Sequence, residues 1–211
     1  MANLNPIQLT DWRRTVAGLY AEIRRYNHDS IHLQEMWEKF RQTKDNLFWN
    51  HPMTPLMPEQ QAITKTSPFY KYDPDYSVWG KLNIDVEQYT LEAELAADGV
   101  FRYMRVGEIG FELKGEAQRL NMYWIDGYGG ALFLPFADAT SGKTTYGGGR
   151  YLYDAIKGAD LGFNDDQVLL DFNYAYNPSC AYNHLWSCPL TPAENRLSIP
   201  IEAGEQNFPS V

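Results

Sequence analysis

A series of alternating apolar and polar residues from Ser77 to Pro135 constrains the fold of this chain more than any other feature. In its first segment, Val78, Leu82 and Ile84 alternate with mostly polar neighbours, which is the period of a strand with one buried face. The same pattern recurs in segments 91–95, 100–106, 109–113 and 120–124, with glycine breaks at 107, 115 and 127–130. Short, evenly spaced strands of this kind predict an antiparallel meander of six or more strands.

Such a strand series must protect its edges, which predicts a barrel-like closure or two packed sheets. Before the strands, two segments space their apolar residues as amphipathic helices do: Trp12, Val16, Leu19 and Ile23, then Leu33, Met36, Trp37 and Phe40. After the strands, prolines 178, 189, 192 and 200 predict a long ordered loop. The expected fold is therefore mainly β with α, an antiparallel barrel-like sheet with two N-terminal helices and a long C-terminal loop.

The length of 211 residues suits one well-buried core and predicts a single domain over residues 1–211. Within it, residues 10–48 are expected to form a helical arm. Residues 50–76 contain five prolines and predict an extended connector. Residues 77–205 are expected to form the β core, which includes a motif-rich region from 133 to 205.

The formal net charge of −9 removes the electrostatic attraction that dominates binding to nucleic acids and to anionic membrane surfaces. No apolar run approaches the roughly 20 residues that cross a bilayer, and Met1 to Thr10 has neither a basic nor an apolar signal region. With only two cysteines, the chain has no disulfide framework. These observations predict a cytoplasmic, soluble protein without nucleic-acid or membrane partners, and they leave its oligomeric state open.

Three successive glycines, Gly147 to Gly149, precede Arg150 and form the segment that packing explains least. Bare backbone allows close approach of a ligand or another chain segment, and a guanidinium suits a carboxylate or phosphate. One interpretation is an anion pocket at the mouth of the sheet. The other is a glycine-rich turn in which Arg150 pairs internally with Asp138, Asp154 or Asp171.

The carboxylates suggest a second chemistry, because two acids in a dry pocket have their pKa values pushed apart and can act as general acid and base. The candidates are Asp138, Asp171 and Glu194. Carboxylates close to arginines such as Arg150 and Arg196 are more often structural ion pairs. The sequence therefore leaves open whether the protein is an enzyme.

A third set of residues, Cys180, His184 and Cys188, has the i, i+4, i+8 spacing that aligns side chains on one helix face. Because Pro178 and Pro189 bracket this segment, a helix there is at most two turns long. A metal site, a disulfide or close thiol pair, and two separate buried cysteines all remain open.

Five motifs can be read together: Phe-Ala-Asp-Ala-Thr-Ser-Gly at 136–142, Thr-Tyr-Gly-Gly-Gly-Arg-Tyr-Leu at 145–152, Leu-Asp-Phe-Asn at 170–173, Ala-Tyr-Asn-Pro-Ser-Cys-Ala-Tyr at 175–182, and Cys-Pro-Leu-Thr-Pro-Ala-Glu-Asn-Arg-Leu at 188–197. In this order they closely resemble the bacterial and archaeal family catalogued as domain of unknown function family 1684. The resemblance implies no activity, cofactor or catalytic residue. His184 and Lys143 fall outside the family pattern, which weakens a mechanism that depends on either.

Three functional hypotheses follow. The first is a polar pocket that binds, and in the enzymatic version transforms, a small anionic molecule. Its predicted ligand-binding residues are Asp138, Thr145, Tyr146, Gly147, Gly148, Gly149, Arg150, Tyr151, Asp171, Asn173, Tyr176, Asn177, Glu194, Asn195 and Arg196. The second is a structural role or an oligomer interface without a ligand. The third is a metal-binding protein that uses Cys180 and Cys188 with His184 or a carboxylate. The sequence leaves the cofactor unknown.

Overall fold

A computed structural model describes residues 5–26, 32–95 and 99–209 of the chain. The first four residues of the Met1–Thr10 segment therefore lie outside the described part. Among the described helices, none is long and apolar enough to cross a membrane.

The N-terminal half contains the two predicted helices and one short additional helix. These are α1 (Pro6–Tyr26), α2 (Leu33–Asn50) and α3 (Pro58–Ile63). Helix α2 buries an apolar stripe that includes Phe40 and Leu47, and Lys44 lies between these two residues on the buried face. Helix α3 has six residues and begins at a proline, and a single 3-10 turn at Pro74–Tyr76 follows it, so regular structure in the connector is short.

Every strand pair of the sheet is antiparallel. The strands are β1 (Ser77–Asn83), β2 (Thr90–Leu95), β3 (Gly99–Leu113), β4 (Glu116–Ile125), β5 (Ala131–Phe136), β6 (Arg150–Asp154), β7 (Phe163–Asn164) and β8 (Gln167–Asp171). Their order is β6-β5-β4-β3-β1-β8-β7, with β2 paired to β3. The predicted mainly β fold with N-terminal helices is confirmed. Because the described sheet stays open between β6 and β7, barrel-like describes it only loosely.

Strand β3 differs from its prediction in one informative way. The sequence predicts two strands separated at Gly107, but β3 continues through this position to Leu113. The register with β4 shifts between Arg105 and Gly107, which marks a β-bulge. A Cβ at Gly107 would lie 2.7 Å from a methyl carbon of Leu82, so glycine permits close contact with β1 there. The glycine therefore bends one strand instead of ending it.

The main core lies between the helices and the sheet. Leu19, Tyr20 and Ile23 of α1 are buried together with Trp37 and Phe40 of α2. Further members of this cluster come from β3, β4, β5, β6 and β8. The helices thus cover the sheet, as their apolar stripes predict.

The C-terminal loop returns to this core and runs beside the connector. The backbone N–H of Tyr70 donates to the carbonyl of Gly204 at 3.0 Å, and that of Glu205 donates to the carbonyl of Ala175 at 2.9 Å. Ile201 is fully buried. The end of the motif-rich region therefore lies beneath the helical arm, which the sequence does not reveal.

Candidate functional site

Arg150 has no exposed surface, and its guanidinium is bonded to groups of the protein itself. One terminal nitrogen donates to Asp138 Oδ2 at 2.8 Å and to the carbonyl of Ile201 at 3.0 Å. The other donates to the carbonyl of Ala203 and, at 3.3 Å, to that of Glu205. These five residues are called the Arg150 cluster below. Its terminal nitrogens are turned toward the C-terminal segment, so they offer no free edge to an anion.

The second carboxylate oxygen of Asp138 is also satisfied internally. Asp138 Oδ1 accepts from the backbone and hydroxyl of Thr140 at 2.8 and 2.6 Å, and from the backbone of Ile201 at 3.1 Å. The buried Thr145 hydroxyl lies 2.8 Å from that of Thr140. This carboxylate therefore organises the turn after β5, and both of its oxygens are occupied.

Two other predicted site residues, Asp171 and Asn173, form a cap at the end of β8. Asp171 Oδ1 accepts from the backbone and the side chain of Asn173 at 3.0 and 2.9 Å. Asn173 in turn bonds the backbone of Asp73 through both ends of its amide, at 3.0 and 2.8 Å. Burial raises the pKa of Asp171 to about 6. The pair is buried and holds the connector against the sheet, whereas the sequence analysis names both residues as ligand-binding residues of a polar pocket.

Asn195 is fully buried and joins neighbouring strands to the C-terminal loop. Its side chain donates to the carbonyls of Asn121 and Pro135 at 2.9 and 2.7 Å, and it accepts from the backbone of Asn121 at 2.8 Å. Glu194 and Arg196 on either side are exposed. Arg196 and Lys143 line an open surface groove beside Asp138. The predicted site residues are therefore distributed over several groups.

The cysteines lie together at the edge of the glycine segment, and both are partly exposed free thiols. The backbone N–H of Cys180 donates to Cys188 Sγ at 3.3 Å, and the Tyr146 hydroxyl lies 3.7 Å from Cys180 Sγ. His184 is exposed. Across the described ranges, no group of three or more His, Cys, Asp or Glu side chains is placed to hold a metal ion.

A cavity of about 90 Å³ lies between the helices and the C-terminal loop. Its walls are mostly apolar and come from α1, α2 and the segments around 157 and 177. The lining residues are Trp12, Val16, Leu19, Tyr20, Phe40, Lys44, Leu47, Phe48, Pro55, Lys157, Ala159, Tyr176, Asn177 and Ser179. Two of them, Tyr176 and Asn177, are among the predicted site residues.

Three cavity-lining residues carry buried polar atoms that have no hydrogen-bond partner among the described residues. They are the hydroxyls of Tyr20 and Tyr176 and the amide oxygen of Asn177. Tyr20 and Asn177 are only 2% and 3% exposed, so bulk water reaches them poorly. An unpaired buried polar atom costs roughly 1–3 kcal/mol, which a bound molecule with matching groups would recover.

Lys44 brings a buried ammonium to the same cavity. Its Nζ lies 3.2 Å from Glu205 and 4.0 Å from the centre of the Phe48 ring. Glu205 also accepts from the backbone of Asn177 at 2.7 Å and from the Tyr182 hydroxyl. Burial lowers the pKa of Lys44, although the neighbouring Glu205 acts in the opposite direction. The ammonium is therefore held by one carboxylate at the edge of an apolar space.

The sequence prediction missed Tyr20, Lys44 and Lys157, which line this cavity. One signal was available for Lys44, because it follows Phe40 by four residues and precedes Leu47 by three. That spacing places a lysine on the apolar stripe of α2. Nothing comparable distinguishes Tyr20, since a tyrosine on a buried helix face is ordinary.

Comparisons with known proteins agree with this architecture. The family model described as "Protein of unknown function (DUF1684)" matches residues 65–206. Among solved structures, the chain is similar to an uncharacterized protein of Haloarcula marismortui determined by solution NMR, with 31% sequence identity and a TM-score of 0.61. The match covers 85% of this chain and 97% of that one. A search of curated proteins finds no match.

Proposed function

The chain belongs to the DUF1684 family of proteins of unknown function, and we propose that it binds a small molecule with an apolar body and a polar end. The binding site is the cavity between the N-terminal helices and the C-terminal loop. The observation that carries this proposal is an apolar cavity whose lining includes the unpaired polar atoms of Tyr20 and Asn177. Apolar walls with a few polar groups are the usual composition of a small-molecule site.

The size of the cavity sets the size of the enclosed part of the ligand. A volume of about 90 Å³ corresponds to roughly three water molecules in the liquid. Phe40, Phe48 and Leu47 provide apolar walls. The enclosed group is therefore a short chain or one edge of a ring, and the remainder of a larger ligand extends through the opening.

The unpaired atoms of Tyr20 and Asn177 determine which groups the polar end of the ligand carries. The Tyr20 hydroxyl can donate a hydrogen bond, whereas the Asn177 amide oxygen only accepts. A ligand that satisfies both therefore carries an acceptor and a donor, as an amide, an alcohol or a protonated acid does.

Charge around the cavity favours a neutral ligand over the anion that the sequence suggests. Lys44 is paired with Glu205 at 3.2 Å, and Lys157 is paired with Asp154 at 2.9 Å. Each ammonium is thus already balanced by a carboxylate, so an added anion gains little net attraction. The proposed ligand class therefore changes from a small anion at Arg150 to a neutral polar molecule at this cavity.

The contacts of Arg150 support the second hypothesis for the motif-rich region. A buried arginine that joins one carboxylate to three backbone carbonyls stabilises the chain path in the same way as a structural cross-link. This architectural role for the Arg150 cluster is compatible with the cavity proposal, because Glu205, the residue common to both, binds Arg150 through its backbone carbonyl and Lys44 through its side chain.

The cavity proposal is tested by NMR titration with benzamide, benzoate and toluene, which share a ring and differ at the polar end. We expect benzamide to shift the amide signals of cavity residues most strongly. Tyr20→Phe should weaken benzamide binding about five- to tenfold, since one hydrogen bond of about 1 kcal/mol is lost. The matched control is Tyr174→Phe, which removes another unpaired buried hydroxyl from a residue outside the cavity lining.

The same titration distinguishes the alternatives. If none of the three probes shifts the cavity residues, or if Tyr20→Phe and Tyr174→Phe weaken benzamide equally, the proposal is wrong. If benzoate alone binds and shifts residues beside Lys143 and Arg196, the anion hypothesis is favoured at the open groove instead.

A further inference from the structure

The Cys180 sulfur lies beside the Tyr146 hydroxyl at 3.7 Å. The backbone N–H of Cys180 donates to Cys188 Sγ at 3.3 Å, so the second sulfur is held next to the first. Two adjacent thiols with different surroundings are the arrangement that thiol–disulfide chemistry requires.

The glycine segment explains how Cys188 is held in this place. The loop that follows Cys188 lies directly on the glycines, where the backbone of Thr191 donates to the carbonyl of Gly148 at 3.2 Å. A Cβ at Gly149 would lie 2.0 Å from Thr191 Oγ1, and Gly149 has a φ of +92°. The Tyr151 hydroxyl donates to the carbonyl of Pro189 at 2.5 Å. Only glycine therefore permits the loop to approach this closely and to place Cys188 beside Cys180.

The surroundings also shift the pKa values of the two thiols in opposite directions. The hydrogen bond from Cys188, followed by that from Tyr146 and the charge of Lys157, lowers the pKa of Cys180 to about 6 against the opposing effect of burial. The pKa of Cys188 is raised by its contact with Cys180 and by burial. These surroundings favour the thiolate, the reactive form, at Cys180 and the protonated thiol at Cys188.

We propose that Cys180 and Cys188 form a redox-active dithiol that exchanges with low-molecular-weight disulfides, with Cys180 as the attacking thiolate and Cys188 as the resolving thiol. This activity goes beyond ligand binding in the cavity and does not depend on it. It also gives the glycine segment a role, since Gly148 and Gly149 hold the resolving cysteine in reach.

The reaction has two balanced steps. The Cys180 thiolate attacks one sulfur of a disulfide R–S–S–R, the S–S bond breaks, and one RS⁻ leaves, so that Cys180 is joined to the other RS group. Cys188 then loses its proton to the released thiolate and attacks the Cys180 sulfur, which expels the second RS⁻. The two protein thiols supply two electrons, the external disulfide becomes two thiols, and a Cys180–Cys188 disulfide remains. An added dithiol reductant restores the starting state.

The test treats reduced protein with oxidised glutathione at pH 7 and follows the intact mass. The chain has two cysteines, so each mass change has a single interpretation. Wild type should lose two hydrogens and retain no glutathione. Cys188→Ser should trap one glutathione on residue 180, whereas Cys180→Ser should react at least about tenfold more slowly, because burial still raises the pKa of its remaining thiol. Thermal unfolding of each variant checks that it is folded.

A second measurement separates an activated thiolate from an ordinary exposed thiol. In the Cys188→Ser background, Tyr146→Phe should slow alkylation by iodoacetamide at pH 7 about two- to fivefold and move the pH midpoint upward. Tyr128→Phe, at a fully exposed tyrosine, is the matched control and should change neither. The proposal is overturned if wild type forms no intrachain disulfide, or if the two single cysteine variants capture glutathione at the same rate.

Discussion

The chain buries two ion pairs that meet the same C-terminal segment, and their surroundings differ. Arg150 pairs with Asp138 and also donates to the carbonyls of Ile201, Ala203 and Glu205. Lys44 pairs with the Glu205 side chain beside an apolar cavity. The arginine is enclosed by protein on every side, whereas the lysine borders a space large enough for a small group.

This difference shows why a buried charge does not by itself identify a functional site. A guanidinium has five donors in a fixed plane, so it can join several chain segments at once. An ammonium is a compact charge on a flexible stem and bonds fewer fixed acceptors. The informative feature at Lys44 is therefore the neighbouring cavity, whose lining includes unpaired polar atoms. The buried Nε of Arg150 is also unpaired, but Arg150 does not line this cavity.

The largest expected effect comes from Arg150→Met. Asp138 loses its cation, and three backbone carbonyls lose their donor, so we expect the free energy of unfolding to fall by about 3–5 kcal/mol. Urea unfolding followed by tryptophan fluorescence measures this change. Arg150→Lys should recover only part of the loss, because one ammonium cannot reach all four acceptors. A loss below about 1 kcal/mol in Arg150→Met would contradict the architectural role.

Asp171 is another buried carboxylate that can be compared with those of the two ion pairs, because its hydrogen bonds come from the neutral groups of Asn173 and Ser77. Its pKa rises from 3.8 to about 6 on folding, so the folded state binds the proton more tightly than the unfolded state. The protonated carboxyl makes its full contribution to the free energy of unfolding below about pH 4. This contribution, about 3 kcal/mol, is lost as the pH rises through 6. Asp171→Asn should remove this part of the pH dependence.

Urea unfolding of wild type and Asp171→Asn between pH 4 and 7 checks this prediction. Other titrating groups act equally on both proteins, so the difference between the two curves isolates Asp171. Parallel curves over this range would show that burial does not perturb this carboxyl.

The smallest effect on stability is expected for Lys44→Met. Glu205 keeps the Tyr182 hydroxyl and the backbone N–H of Asn177 as donors, and methionine fills a similar volume, so we expect a loss of about 1–2 kcal/mol. Urea unfolding under the conditions used for Arg150→Met provides the comparison. Equal losses in the two variants would mean that the two ion pairs do not differ as their surroundings indicate.

Much of the fold was predictable, because its signals are local. The alternation around Val78 and Leu82 marks β1, and the apolar stripes mark α1 and α2. Gly107 shows the limit of this reasoning, since a glycine in an alternating pattern is compatible with both a turn and a bulge. The pairing of β3 with β1 and β4 decides between them.

The candidate sites were less predictable. The sequence singled out Arg150, Tyr146 and the cysteines, and it named internal pairing with Asp138 as one alternative. It gave no basis for choosing between that pair and an anion pocket, because both use the same residues. The cavity depends on which helix face lies opposite the segment around Asn177, and residue spacing does not show this.

The sequence by itself determined the elements of this protein: two amphipathic helices, an antiparallel strand series and a loop rich in proline. These follow from periodicity and backbone chemistry, which act over a few residues. Tertiary structure alone decided that the guanidinium of Arg150 faces the C-terminal segment, that Lys44 meets Glu205 beside a cavity, and that Gly149 holds the loop of Cys188. These arrangements join residues far apart in the chain, so they arise only when the helices, sheet and loop pack together.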